Sequence, residues 1–192
     1  VTWADQQAPA QLLPWPQQGA QLPLSLQHAG SGKPWATVAT LAAVPLKAPV
    51  AHRLSVKREV LPIEQRKPGQ WHVGDAYRVR LTVTANAPQT WVVVRDALPS
   101  GATPLNRGLG RDGQLATQDQ DRSWRSRPSF EENAADSYRA YYRWVAEGSW
   151  TVDYTVRLNN AGNFELPPTR VEAMYAPEVF GEAPAQAIQV LP

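Results

Sequence analysis

The chain has 192 residues, 43% of them hydrophobic, a formal charge of only +2 and no cysteine. It is long enough to bury a core without staples, and it can hold no disulfide framework, thiolate metal site or cysteine nucleophile. The charged residues form no Lys/Arg run, which argues against nucleic acid as a partner, and no stretch approaches the ~18 apolar residues of a membrane helix.

Eighteen prolines and eight tryptophans favour sheets and turns, because proline breaks helix interiors. The opening VTWADQQ, without initiator methionine or basic-then-apolar leader, reads as a processed or excised product. Residues 1–20 are rich in Pro, Gln and Ala, show no period, and are expected to be an extended, partly disordered lead-in. In LPLSLQH, Leu22, Leu24 and Leu26 alternate as in a half-buried strand; PWATVATLAAVPL (34–46) has the length of a short helix, but its flanking prolines and Thr/Val content favour a further strand. KAPVAH (47–52) reads as a linker. After it Leu54, Val56 and Val60 alternate with polar residues, and EQRKPGQWHVGD is a loop closing on a Gly-Asp turn. YRVRLTVTA places Tyr77, Val79, Leu81 and Val83 on one face, with Arg78, Arg80, Thr82 and Thr84 on a polar, solvent-facing side. WVVVRDALP (91–99) is a continuous apolar run, expected to be a central strand covered on both faces.

Residues 105–137 form a long polar connection, of a length that is normally functional or mobile. YRAYYRWV and SWTVDYTVRL are strands joined by AEG, read as a three-residue hairpin. In the second, Trp150, Val152, Tyr154, Val156 and Leu158 make one apolar face. NNAG turns into NFEL, a double proline follows, then TRVEAMY, and QAIQV supplies a last strand. About seven closely spaced strands and no convincing helix indicate an all-β fold: an antiparallel Ig-like sandwich over residues 52–192, preceded by a short extended β segment at 21–51.

No catalytic chemistry emerges from the residues. His28, His52 and His72 lack ligand-like spacing, so no metal site is assigned, and no GxSxG elbow is present. GLGRDG (108–113) lacks the Lys-Ser/Thr ending of a phosphate loop. FEENAAD (130–136) lacks calcium-loop spacing and reads as a solvated loop. Tyr138, Tyr141, Tyr142, Trp144, Trp150 and Tyr154 are expected as core or cross-strand pairs, the sharper alternative being a carbohydrate-stacking platform.

The segment YRAYYRWVAEGSWTVDYTVRLNNAGNFELPPTRVEAMYAPEVFGE resembles the end of the bacterial alpha-2-macroglobulin family. Tyr154, Arg157, Gly162, Phe164, Pro167, Pro168, Glu172, Met174, Tyr175, Pro177, Glu178 and Gly181 fit that family's closing pattern, and TWVVVRDALPSGATPLNRGLGRDG matches an earlier strand and loop. LSLQHAGSGKPWATVATLAAVPLKAP is similar to the returning half of the family's CUB-like domain.

The resemblance implies a macroglobulin-like sandwich at 52–192, with 21–51 as returning CUB-like strands or linker. It further implies a non-enzymatic domain, without cofactor, of a periplasmic protease trap whose parent is anchored to the inner membrane by a lipid. The implied partners are other domains of the parent, target proteases through the parent, and other cell-envelope proteins. No Cys-x-Glu-Gln thioester motif is present, and the sequence fits the thioester-lacking branch at least as well. Met174, Tyr175, Pro177, Glu178 and Phe180 become the candidate contact residues, and Gly162, Phe164, Pro167, Pro168 and Gly181 a structural motif. Methionine is flexible and tyrosine has an apolar body with a polar tip, both suited to interfaces. Strand alternation would send Met174 and Tyr175 to opposite faces, leaving at most one in the core. The competing reading is a stand-alone Ig-like adhesion or glycan-binding module using the aromatic hairpin or the 105–137 connection.

Overall fold

A computed structural model describes residues 2–3, 12–13, 23–33, 35–41, 45–105 and 127–192. Most of the 1–20 lead-in, Leu22 and the GLGRDG stretch lie outside these residues. The chain divides into two compact units, Val1–Val44 and Pro45–Pro192.

In the first unit, β1 (Thr2–Trp3) pairs in parallel with β2 (Gln27–His28). The strand expected from the Leu22, Leu24, Leu26 alternation is confined to Gln27–His28, and Leu24 and Leu26 are exposed. The second expected strand is also not formed over 35–41, where Trp35, Val38 and Leu41 are exposed. Alternation makes a strand only where a neighbour accepts its backbone hydrogen bonds.

The second unit begins with β3 (Val50–His52), so the stretch expected as a linker ends in a paired strand. It continues with β4 (Leu54–Glu64), β5 (Trp71–His72), β6 (Ala76–Ala85), β7 (Gln89–Ala97) and β8 (Thr103–Pro104). Then come β9 (Phe130–Asn133), β10 (Ser137–Val145), β11 (Gly148–Arg157), β12 (Gly162–Phe164), β13 (Thr169–Ala173), β14 (Ala176–Ala183) and β15 (Ile188–Leu191). The long polar connection is thus partly structured: β9 pairs with β10 across Tyr138↔Asn133 to Tyr141↔Phe130.

Hydrogen bonds run through the order β8-β11-β6-β4-β3-β14-β13-β7-β10-β9, and β12-β15-β5 form a small separate sheet. The long ribbon changes sheets at Arg53, a non-glycine residue in the left-handed region at φ 65° that separates His52 from Leu54. Two layers result, β8-β11-β6-β4 and β3-β14-β13-β7-β10-β9, the architecture of a β-sandwich. Its interior holds Leu54, Val56, Val79, Leu81, Val83, Val152 and Val156 from the first layer, and Val92, Val94, Ala140 and Val171 from the second.

The AEG turn is not a hairpin. β10 pairs with β7 and β11 with β6, so the turn carries the chain from one layer to the other. Its flanking aromatics therefore meet across the sandwich: Tyr138 stacks on Tyr154 with ring centroids 4.1 Å apart, and Tyr142 meets Trp150 edge-on at 5.6 Å. The polar face of β6 is not uniformly wet either. Arg80 holds Asp153 through Nε–Oδ1 at 2.9 Å and Nη2–Oδ2 at 2.7 Å, whereas Arg78 and its cross-strand neighbour Thr155 are buried.

Candidate functional site

β13 and β14 form a tight antiparallel pair from Thr169↔Ala183 to Glu172↔Phe180, after which the register jumps to Ala173↔Ala176. Pro177, Glu178 and Val179 have no opposite residue on β13, and Met174 and Tyr175 make the two-residue turn. A β-bulge of this kind bends a strand and re-aims its side chains. Met174 is 47% exposed and Tyr175 80% exposed. The expectation of opposite faces does not apply, because the pair lies at a turn and not within a strand. Pro177 and Glu178 are exposed beside it. Phe180 lies further along the outer sheet face, half-buried between His52 (4.9 Å) and the Arg170 guanidinium (4.5 Å).

Two residues the sequence did not single out complete this end of the domain. The Met174 N–H donates to the Trp91 carbonyl at 2.8 Å, and the Trp91 ring meets Tyr175 at 6.2 Å and 89°. The Arg143 guanidinium lies 5.8 Å from the Trp91 ring centre. Trp91 has φ 53°, a left-handed conformation that costs a bulky residue on the order of 1–3 kcal/mol and marks positions worth inspecting for function. WVVVRDALP is not covered on both sides as expected. Val92, Val94 and Asp96 point inward, while Trp91 is 45% exposed and Arg95 is exposed.

Of the motif residues, Gly181 and Phe164 sit in the packing, while Gly162, Pro167 and Pro168 are exposed. A Cβ on Gly181 would stand 2.6 Å from the Leu54 carbonyl and 2.8 Å from Ser55 Cα, so β14 can pass the start of β4 only without a side chain. Phe164 packs against the core from β12, where Gly162↔Val190 and Phe164↔Ile188 pair with β15. Pro167 and Pro168, both exposed, connect β12 to β13 and lack the N–H that would extend a ladder.

Inside the sandwich lies a polar layer. The Asp96 carboxylate is fully buried; it accepts from Arg58 Nε at 3.1 and 3.0 Å, from the Tyr154 hydroxyl and from the Thr169 hydroxyl. Four strands of both layers thereby converge on one carboxylate. Burial opposes the charge on Arg58, but Asp96, together with Tyr154 and Tyr77, outweighs it and raises the guanidinium pKa. Burial, then the Asp96 charge, pushes the Tyr154 hydroxyl well above the ordinary tyrosine range. Every oxygen of the carboxylate is engaged, so the layer is structural. Tyr138, Tyr142, Trp150 and Tyr154 are buried, which removes them from any glycan-stacking surface. Of the carboxylates in FEENAAD, Glu132 is bound by Arg139 (3.0 Å) and Tyr141 (2.9 Å).

The domain is an all-β sandwich whose structural neighbours are macroglobulin domains. Residues 54–178 match the Bacterial Alpha-2-macroglobulin MG10 domain family, and the chain belongs to it. It is 30% identical over 165 residues to an alpha-2-macroglobulin of Xylella fastidiosa, covering 79% of this chain and 10% of that protein. Salmonella alpha-2-macroglobulin reacted with methylamine superposes with TM-score 0.63 at 27% identity, over 79% of this chain and 10% of that one. Escherichia coli alpha-2-macroglobulin activated by porcine elastase shares the fold with TM-score 0.65 at 24% identity, over 76% of this chain and 14% of that one. The chain thus spans about a tenth of the length of the curated relatives it matches.

Proposed function

We propose that the chain acts as a non-catalytic domain of a larger bacterial macroglobulin that traps proteases, and that it docks on a neighbouring domain of that parent through the Met174–Tyr175 turn. This reading extends to a periplasmic parent tethered to the inner membrane by a lipid, as the family resemblance implies. Family membership supports the trap; the exposed Met174–Tyr175 turn, flanked by Pro177 and Glu178, supports the docking surface. Two large, deformable side chains held out on a bulged hairpin cost solvation unless a partner covers them.

The test uses the full-length parent. Added protease should cleave it, convert it to a more compact form and remain held; cleavage into unrelated pieces with no protease retained overturns the trap. Met174→Ala with Tyr175→Ala should leave the melting temperature of the 192-residue chain nearly unchanged while loosening the domain in the parent, read as faster hydrogen exchange across 170–180. A loss of about 2–5 kcal/mol in the chain itself, the size of a core truncation, overturns the docking role.

A further inference from the structure

Four residues on three elements meet at the Met174–Tyr175 end of the sandwich. Trp91 comes from β7, Arg143 from β10, and Met174 and Tyr175 from the β13–β14 turn. Trp, Tyr, Met and Arg are the residue types enriched in protein interfaces, the aromatics and arginine above all at the points that carry most of the binding energy.

The charge is as informative as the aromatics. Elsewhere on this face the arginines are matched: Arg139 by Glu132, and Arg170 by Glu172 at 2.7 Å and Glu182 at 2.6 Å. Among the described residues the Arg143 guanidinium meets the Trp91 ring and has no carboxylate within ion-pair distance. Trp91 in turn is held in its left-handed conformation with its carbonyl bonded to the turn. The Trp91 backbone and the turn are thus bonded together before any partner arrives, with the cation beside the ring, which lowers the ordering cost of binding.

Building on the docking role proposed above, we infer that Trp91 and Arg143 are part of the same contact, and that the neighbouring parent domain presents a carboxylate to Arg143 beside an apolar group seated between Trp91 and Tyr175. The occupant is the parent chain itself, because the match covers only 10% of a relative's length and an arginine with an aromatic backing selects a planar carboxylate.

A carbodiimide cross-link tests this in the full-length parent. Arg143→Lys keeps the charge and supplies an amine that couples only to a carboxylate in contact. Mass spectrometry should find the link to an Asp or Glu outside residues 1–192. Arg143→Glu should lower hydrogen-exchange protection at 173–176 by about tenfold, the effect of one lost charge pair. A link confined to residues 1–192, a link to a second copy, or none at all overturns the inference. If Met174→Ala with Tyr175→Ala still loosens the domain in that case, the docking role survives without the carboxylate. If neither variant changes protection, both fail.

Discussion

Arginine and aromatic rings occur together twice in this domain, with opposite surroundings. Around Asp96, Arg58 and Tyr154 converge on a carboxylate that is completely buried, with Thr169 filling its remaining valence. Around Trp91, Arg143 and Tyr175 stand open to solvent, and among the described residues the cation meets a ring and no carboxylate. The first cluster has every polar group answered from within the chain, and its effect is to fix two layers in one register. In the second, the turn is bonded to the Trp91 carbonyl, and no described carboxylate answers the cation. Similar side chains have a structural role in one place and a proposed recognition role in the other, and the difference is whether the described residues supply the counter-charge.

The sharpest way to break this comparison is at the buried cluster. Asp96→Ala leaves a guanidinium whose side chain is 8% exposed without its carboxylate, and it also orphans the Tyr154 and Thr169 hydroxyls. Chemical denaturation should show a loss of about 3–5 kcal/mol. Arg58→Met added to Asp96→Ala should recover much of that loss, since no uncompensated charge then remains. A single variant within about 1 kcal/mol of wild type would show that the layer is not the tie between the sheets.

A smaller effect of the same cluster appears with pH. Burial raises the hydroxyl pKa values of Tyr77, Tyr142 and Tyr154. Their contribution is fully present below the ordinary tyrosine value of about 10 and is lost as pH rises through the raised values. The domain should therefore unfold in alkali, with these tyrosines ionising as it does, visible as a cooperative step in absorbance at 295 nm. Tyr154→Phe should cost about 1.5–3 kcal/mol at neutral pH, as for a hydrogen bond to a charged group. It should also make the alkaline transition shallower, because one fewer proton is released. A gradual, independent titration of all three would contradict their burial.

What the sequence disclosed about these clusters follows from how local their causes are. The alternation of Tyr77, Val79, Leu81 and Val83 is set by one half-buried face, and β6 follows it closely. The Met-Tyr-Ala-Pro-Glu motif marked the exposed turn, but strand alternation misplaced it because the register jump between Glu172 and Ala173 depends on pairing. AEG has the chemistry of a hairpin turn; only the distant partners, Thr90 opposite Trp144 and Thr84 opposite Ser149, make it a crossing between layers. Asp96 in VVVRDALP looks like the polar end of a strand, and its partners lie 38, 58 and 73 residues away. Trp91 gives no signal at all, since its left-handed backbone is imposed by the turn that bonds its carbonyl and not by its own preference.

That imposed conformation supplies the mildest test of the comparison. Trp91→Gly removes a ring that is 45% exposed and relaxes the left-handed strain, while the added freedom of glycine in the unfolded chain acts in the opposite direction. The two terms are each about 1 kcal/mol and of opposite sign, so the melting temperature of the 192-residue chain should scarcely move. Trp91→Ala loses the same ring but keeps the strain, and should melt below Trp91→Gly. If both variants are equally and severely destabilised, the ring is supporting the fold, and the exposed cluster belongs with Asp96 as structure. If glycine is tolerated and alanine is the worse of the two, the domain is holding Trp91 in a conformation it would not adopt alone. That outcome would support the contact proposed for it outside the chain.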